Sequence, residues 1–270
     1  MKQVILYHAD CMDGACAAWI AWKIFGKDAE YIPVQYGQPP PEHLCKDHKV
    51  LILDFSYKRE VLLALKERVG LLEVLDHHKT AQADLEGLDF CIFDVNKSGA
   101  MLAWEWFHPH ELAPTLVQYV QDHDLWLFSL PYSKQIRSYI QSYDYVPENY
   151  ESMSIRINTD FNGICNEALA IERYKAKSIE LHVKRAANNF MIDSKVGPTL
   201  GVNISDVSII SEVCNKLANL TPRKWAYSWF TNKDRQTVYS LRSTEDGPDV
   251  SEIAKLYNGG GHKHAAGFVS

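Results

Sequence analysis

Short apolar runs alternate with helix-forming stretches through the first half of the chain. Val4-Ile5-Leu6, Glu30 to Val34, Val50-Leu51-Ile52-Leu53, Leu71 to Leu75 and Cys91-Ile92-Phe93 read as strands. Asp13 to Phe25, Arg59 to Val69 and Gly99 to Phe107 read as helices, and another runs from about Ala113 to Val120. Strand and helix in alternation predict an α/β domain, a mostly parallel sheet with helices on both faces. From Asn166 to Asn189 the chain is charged and helix-forming, as a connector would be. Beyond it the strands lie closer together: Thr199 to Ile204, Trp225 to Phe230 and Thr237 to Leu241, with helices at Ser208 to Leu217 and Val250 to Tyr257. That pattern predicts a smaller α+β domain with a mixed sheet.

Composition narrows the class. The 270 residues are 46% hydrophobic, enough for a full core in one large or two modest domains. No 18-residue apolar run exists, which excludes a transmembrane helix of the usual kind. The opening MKQVILYHAD is too polar for a signal peptide, and the six cysteines are scattered with no CxxC pair. We therefore expect a cytoplasmic protein with reduced thiols and no membrane partner. With 28 basic against 34 acidic residues, the net charge of −6 argues against a broad duplex-binding surface. It leaves room for a small phosphorylated ligand at one local site.

The clearest strands end in metal-ligand residue types. Val4 to Leu6 runs into His8, Asp10, Cys11 and Asp13; Val50 to Leu53 ends at Asp54; Leu71 to Leu75 ends at Asp76-His77-His78; a helix ends near Asp122-His123-Asp124. In an open parallel sheet, ligands bind beyond the carboxyl ends of the strands. A single Asp after a strand is ordinarily a helix cap. Two adjacent imidazoles and a carboxylate have no such packing explanation. Imidazoles with several carboxylates suit Mn²⁺, Fe²⁺, Co²⁺ or Zn²⁺, leaning toward the harder Mn²⁺. Two such ions roughly 3.5–4 Å apart can stabilise both the attacking and the leaving oxygen of a phosphoryl transfer.

These residues resemble the motifs of the DHH phosphoesterase superfamily, in its DHH/DHHA1 branch. The naming motif stands as Asp76-His77-His78, and the C-terminal signature as Gly259-Gly260-Gly261-His262-Lys263-His264-Ala265-Ala266-Gly267. Ser240-Leu241-Arg242-Ser243 and Val250 to Ala254 resemble the strand and helix before those glycines. The resemblance implies a parallel-sheet, doubly wound DHH domain over residues 1–165, a helical connector over 166–189 and a DHHA1 substrate-binding domain over 190–270. It also implies two Mn²⁺ ions, with Mg²⁺ or Co²⁺ as alternatives. By position, His8 and an Asp of the first motif would hold one ion and Asp13 the other. Asp54 would bridge them, and His77 and Asp122 would complete the ligands of the second ion. His78 would face the scissile phosphate, oriented by Asp76. The first motif departs from the family's Asp-x-Asp-Gly: that slot reads Cys11-Met12-Asp13-Gly14. We take Asp10 as the replacement, since carboxylate suits Mn²⁺ better than the sulfur of Cys11. At the fourth motif we prefer Asp122 to Asp124.

Other residues point to phosphate and base. Gly260 and Gly261 permit close backbone approach, and with His262 and Arg242 they form an expected phosphate subsite. Ser98 opens a helix whose amides could attract an anion, or it is simply the helix cap. Trp126 and Tyr143 follow the fourth motif and could stack a base. The leading expectation is hydrolysis of short single-stranded oligonucleotides or dinucleotides to mononucleotides. The alternatives are a phosphoanhydride or phosphomonoester hydrolase, acting on polyphosphate or a nucleoside 3′,5′-bisphosphate, and a nucleotide-binding regulator. A homodimer is compatible with the sequence.

Overall fold

Every apolar run of the first half becomes a strand of one sheet in the computed structural model, which describes residues 1–186, 190–193 and 197–270. Positions 187–189 of the expected connector and 194–196 of the expected second domain lie outside the described residues. The chain divides into two compact units, Met1–Ile171 and Glu172–Ser270.

The first unit carries strands β1 (Lys2–His8), β2 (Ala29–Val34), β3 (His48–Leu53), β4 (Leu71–Asp76) and β5 (Cys91–Phe93). All neighbours are parallel, in the order β2-β1-β3-β4-β5. Helices α1 (Met12–Phe25), α2 (Arg59–Arg68), α3 (Lys79–Asp84) and α4 (Gly99–Phe107) follow strands in turn. The strands are apolar on both faces because both are covered. Ile5, Leu51, Leu53 and Leu75 pack with residues of α1 and α4. Val4, Leu6, Val50, Ile52, Leu72 and Val74 pack on the other face with Leu62 and Leu65 of α2. Each fully buried side chain of this kind contributes about 1.5–3 kcal/mol. A one-residue slip would swap the two sets between faces, so burial pins the register.

Four further helices complete the unit or leave it: α5 (Thr115–Asp124), α6 (Ser133–Gln141), α7 (Pro147–Thr159) and α8 (Phe161–Ala186). α6 and α7 fall in a stretch the sequence pattern left unassigned. Pro147 opens α7 at a first-turn position where its missing N–H goes unneeded. Buried Tyr150 of α7 donates its hydroxyl to the carbonyl of Met12, 2.8 Å away, and so ties α7 to the start of α1. α8 begins at Phe161 rather than Asn166 and runs unbroken for 26 residues. No helix among the described residues is long and apolar enough to cross a membrane.

The second unit is built on β6 (Phe190–Asp193), β7 (Gly197–Asn203), β8 (Trp225–Thr231), β9 (Thr237–Ser243), β10 (Gly260–His262) and β11 (Ala265–Val269), with helices α9 (Ile210–Leu220) and α10 (Val250–Lys255). The order is β10-β11-β9-β8-β7-β6, and only the β7–β8 pair is parallel. Leu200, Val202 and Ala226 meet Val213, Cys214 and Leu217 of α9 on one face. Trp225, Tyr227, Leu241 and Ala266 meet Val250 and Ala254 of α10 on the other. An α/β unit with a parallel sheet and an α+β unit with a mixed one are what the sequence pattern predicts.

Candidate active site

The winding of the first sheet reverses between β1 and β3, and the crevice of such a sheet lies outside the carboxyl ends of its strands at that point. His8 ends β1, Asp54 follows β3, and Asp76 ends β4 with His77 and His78 directly after it. Cys11 and Asp13 stand at the start of α1, and Asp124 is the last residue of α5. Three overlapping groups of donor atoms each lie within 4.8 Å: His8, Cys11 and Asp54; Asp54, His77 and His78; Asp13, His77 and Asp124. His77 Nε2 is 3.2 Å from Asp54 Oδ1, 3.5 Å from Asp124 Oδ2 and 3.8 Å from Asp13 Oδ2. His8 Nδ1 is 3.5 Å from Asp54 Oδ2.

Backbone and glycines hold this cluster tight. Asp54 sits at φ 61°, a left-handed conformation that Asp tolerates better than most residues. A Cβ on Gly99 would lie 2.5–2.8 Å from the Asp54 side chain, so only glycine lets α4 approach this closely. Gly14 similarly meets the backbone and Cβ of His8. The Asp13 carboxylate accepts from the amides of Gly99 (2.5 Å) and Ala100 (3.0 Å), which closes the N-terminus of α4.

The donor set fits a divalent cation. His8 Nδ1 and Asp54 Oδ1 are buried and have no hydrogen-bond partner, although both lie at ion-pair distance from a neighbour. His8 Nδ1 approaches Asp54 Oδ2, and Asp54 Oδ1 approaches His77 Nε2, without the alignment of a hydrogen bond, as ligands of a shared ion do. A buried polar atom left unbonded is costly. Burial, and then the charges of Asp54 and Asp124, push the Asp13 carboxyl well above its ordinary range. Burial acts on Asp54 in the same direction, but His77 and His8 hold it far below. Carboxylates and imidazoles crowded at this spacing suit Mn²⁺, Fe²⁺, Co²⁺ or Zn²⁺.

Asp76 stands behind the cluster. It is fully buried, accepting from the Ser56 hydroxyl on Oδ2 and from the His77 amide on Oδ1. The same Oδ1 lies 2.6 Å from His78 Nδ1. That contact fixes the ring and leaves Nε2 as its outer edge, 3.4 Å from the Tyr36 hydroxyl. Tyr36 follows β2 and carried no signal in the sequence beyond its place after a strand.

The DHHA1 domain family matches residues 199–270. Uncharacterized protein R106 of Acanthamoeba polyphaga mimivirus is 30% identical over 289 residues, an alignment covering 98% of this chain and 67% of the relative. Oligoribonuclease NrnB of Bacillus subtilis (strain 168) is 24% identical over 291 residues, covering 97% and 71%. The chain belongs to the DHH/DHHA1 phosphoesterase family. Two solved structures share its fold. The pGpG-specific phosphodiesterase PggH from Vibrio aligns with a TM-score of 0.54 at 13% identity, over 100% of this chain and 93% of the other. Exonuclease RecJ bound to manganese aligns with a TM-score of 0.54 at 16% identity, over 99% and 85%.

Of the positions expected from the DHH/DHHA1 motifs, two lie away from the cluster. Asp10 is exposed at φ 52°, and its carboxylate accepts from Gln35 Nε2 at 2.7 Å, outside the cluster. The neighbouring Cys11 takes the inner place, with Sγ 3.4 Å from Asp54 Oδ2. Asp122 is also turned away. It accepts from the Ser129 amide (2.8 Å), the Ser129 hydroxyl (2.6 Å) and the Leu130 amide, while Asp124 reaches His77. Asp124 extends the Val117–Val120 row of α5 by i+4, the one sequence signal that favoured it. Ser98 is 0% exposed, and its hydroxyl accepts from the Met101 amide as a helix cap. The amides of α4 are themselves taken by Asp13.

Asp122 instead organises an aromatic loop beside Asp124. Its carbonyl accepts from the Leu127 amide at 2.9 Å, while its carboxylate binds the chain at Ser129. Trp126, Phe128 and Tyr132 all have positive φ. Such strain costs on the order of 1–3 kcal/mol per residue and persists only where surroundings enforce it. Trp126 is 71% exposed and meets Phe128 edge-on at 5.2 Å. Tyr143 is 38% exposed and packs edge-on against Tyr139 instead.

Part of the glycine signature of the second unit forms a strand. Gly260, Gly261 and His262 form β10, an edge strand paired with β11. Gly261 has φ +142°, and a Cβ there would lie 2.6 Å from the Ala265 carbonyl; at Gly260 a Cβ would meet open space. Register sets His262 opposite Ala265, and Ala265 opposite Arg242, so the three share one face with the smallest side chain in the middle. Arg242 spends two of its five N–H donors on the Leu241 carbonyl (2.8 Å) and the Ser211 hydroxyl (3.0 Å).

Proposed function

We propose that this chain is a metal-dependent phosphodiesterase that hydrolyses short oligonucleotides or dinucleotides to mononucleotides. The observation that carries the reading is the cluster around Asp54, in which metal-ligand side chains from five elements converge and two buried donor atoms, His8 Nδ1 and Asp54 Oδ1, have no hydrogen-bond partner. The names of the relatives agree: an oligoribonuclease, a pGpG-specific phosphodiesterase and an exonuclease bound to manganese. His8, Asp13, Asp54, His77 and Asp124 are the residues that would hold a pair of divalent ions, and ions bound there would neutralise phosphate charge and acidify water.

The chain's own residues supply the rest. Asp76 holds the His78 ring so that Nε2 can donate to a phosphate oxygen. Asp13 keeps α4 against the cluster, which keeps Gly99 beside Asp54. In the second unit, the free N–H groups of Arg242, with His262 and the open face of Gly260, offer a subsite for a terminal phosphate. The exposed Trp126 offers a flat apolar face for one base. A subsite of this size needs little basic surface, in keeping with a net charge of −6.

The test is release of mononucleotides from 5′-labelled 2- to 5-mers with and without added Mn²⁺, run beside polyphosphate and a nucleoside 3′,5′-bisphosphate. Metal-dependent cleavage of the oligomers supports the reading. Cleavage of polyphosphate or the bisphosphate alone would replace it with a phosphoanhydride or phosphomonoester activity. Metal binding without any turnover would leave a nucleotide-binding regulator.

A further inference from the structure

We propose that the Cys11 sulfur is itself a metal ligand, and that it shifts the site away from Mn²⁺ and Mg²⁺ toward softer ions such as Co²⁺ and Zn²⁺. The inference rests on reading the Asp54 cluster as a metal centre. Cys11 precedes α1 with extended backbone angles (φ −115°, ψ 131°), the place where a side chain ordinarily caps the helix, yet it makes no capping bond. Its sulfur turns inward, 3.4 Å from Asp54 Oδ2, and forms one donor group with His8 and Asp54. His8 Nδ1 in that group is buried without a hydrogen-bond partner. The residue that could have supplied a carboxylate instead, Asp10, is committed to Gln35. The inner ligand is therefore sulfur.

The chemistry balances simply. The thiol gives its proton to solvent, and the thiolate donates an electron pair to the ion; nothing is oxidised or reduced. A thiolate among imidazole and carboxylate ligands favours ions that accept soft donors, whereas Mn²⁺ and Mg²⁺ prefer oxygen.

Cobalt substitution tests this directly, because a thiolate bound to Co²⁺ gives a charge-transfer absorption in the near ultraviolet. The full chain, stripped of metal and titrated with Co²⁺, should develop that band, and Cys11→Ser should lose it while the exposed Cys45 remains in place. Cys11→Asp should lower the ratio of Zn²⁺ to Mn²⁺ affinity at least tenfold. A measurement that needs no variant is alkylation by iodoacetamide followed by mass spectrometry: bound Co²⁺ should slow labelling of Cys11 at least tenfold and leave Cys45 unchanged. Co²⁺ binding without the band, or with equal Cys11 labelling, overturns the sulfur ligand and leaves the metal centre standing. Absence of any Co²⁺ binding removes the metal centre, and with it this inference.

Discussion

The Asp54 cluster and the Arg242–His262 face use charged residues in opposite ways. In the cluster, Asp13 and Asp54 are buried and mutually repelling, fixed by a left-handed backbone and by a glycine contact that tolerates no added atom. On the face, His262 is exposed at a sheet edge, Ala265 keeps the row low, and Arg242 still has donors to spare. The first arrangement stores unfavourable energy that a cation would relieve. The second stores almost none and can accept or release an anion cheaply. On the proposed function, substitutions in the cluster should act on turnover and those on the face on affinity.

The largest effect should come from Asp54→Asn. Removing the shared carboxylate should cost about 10³-fold or more in kcat, several kcal/mol of transition-state stabilisation, with the fold intact by circular dichroism. Turnover within tenfold of the original would remove Asp54 from the chemistry. Next, adding Mn²⁺ to metal-free protein should raise the melting temperature by several degrees. Saturation at about 100 times Kd is worth about 2.7 kcal/mol, and the gain should vanish in Asp54→Asn. A flat calorimetric response would mean that the buried carboxylates are not waiting for an ion.

Arg242→Ala should raise KM about tenfold or more with kcat little changed, the loss expected for charge-assisted hydrogen bonds to phosphate. A fall in kcat at constant KM would break the division between the two regions. The smallest effect on folding should come from Gly260→Ala, since its Cβ would meet open space: stability within about 0.5 kcal/mol of the parent. Gly99→Ala should cost about 1–3 kcal/mol in the same urea titration. Equal costs at the two glycines would contradict the packing described for Asp54.

Much of this was legible from residue order. Apolar runs ending in Asp or His announced the parallel sheet and the crevice at its strand ends. Where structure and expectation differ at the site, the cause is the direction in which a side chain leaves the backbone. Asp122 and Asp124 lie two positions apart on α5, about 200° around the helix, and only packing of α5 decides which meets His77. Asp10 and Cys11 are adjacent, and the positive φ of Asp10 sends its carboxylate out to Gln35. The glycines allow β10 to lie against β11, a role that glycine's permissiveness does not by itself announce. Ser98 does what its residue type most often does and caps a helix. α6 and α7 went unassigned because their apolar positions seal the core through tertiary contacts, among them Tyr150 on Met12.

The bond from Asp13 to the amides of Gly99 and Ala100 spans 86 and 87 positions of sequence. On a ribosome, the first carboxylate of the cluster must wait for a third of the protein to emerge before its partner exists. Asp124 arrives later still. A nascent chain that stops short of α5 would hold β1, β3 and β4, and the acidic ends of those strands, with no closed pocket to gather them. Contacts this distant in sequence form slowly, so the ability to bind metal should appear as one of the last events of folding.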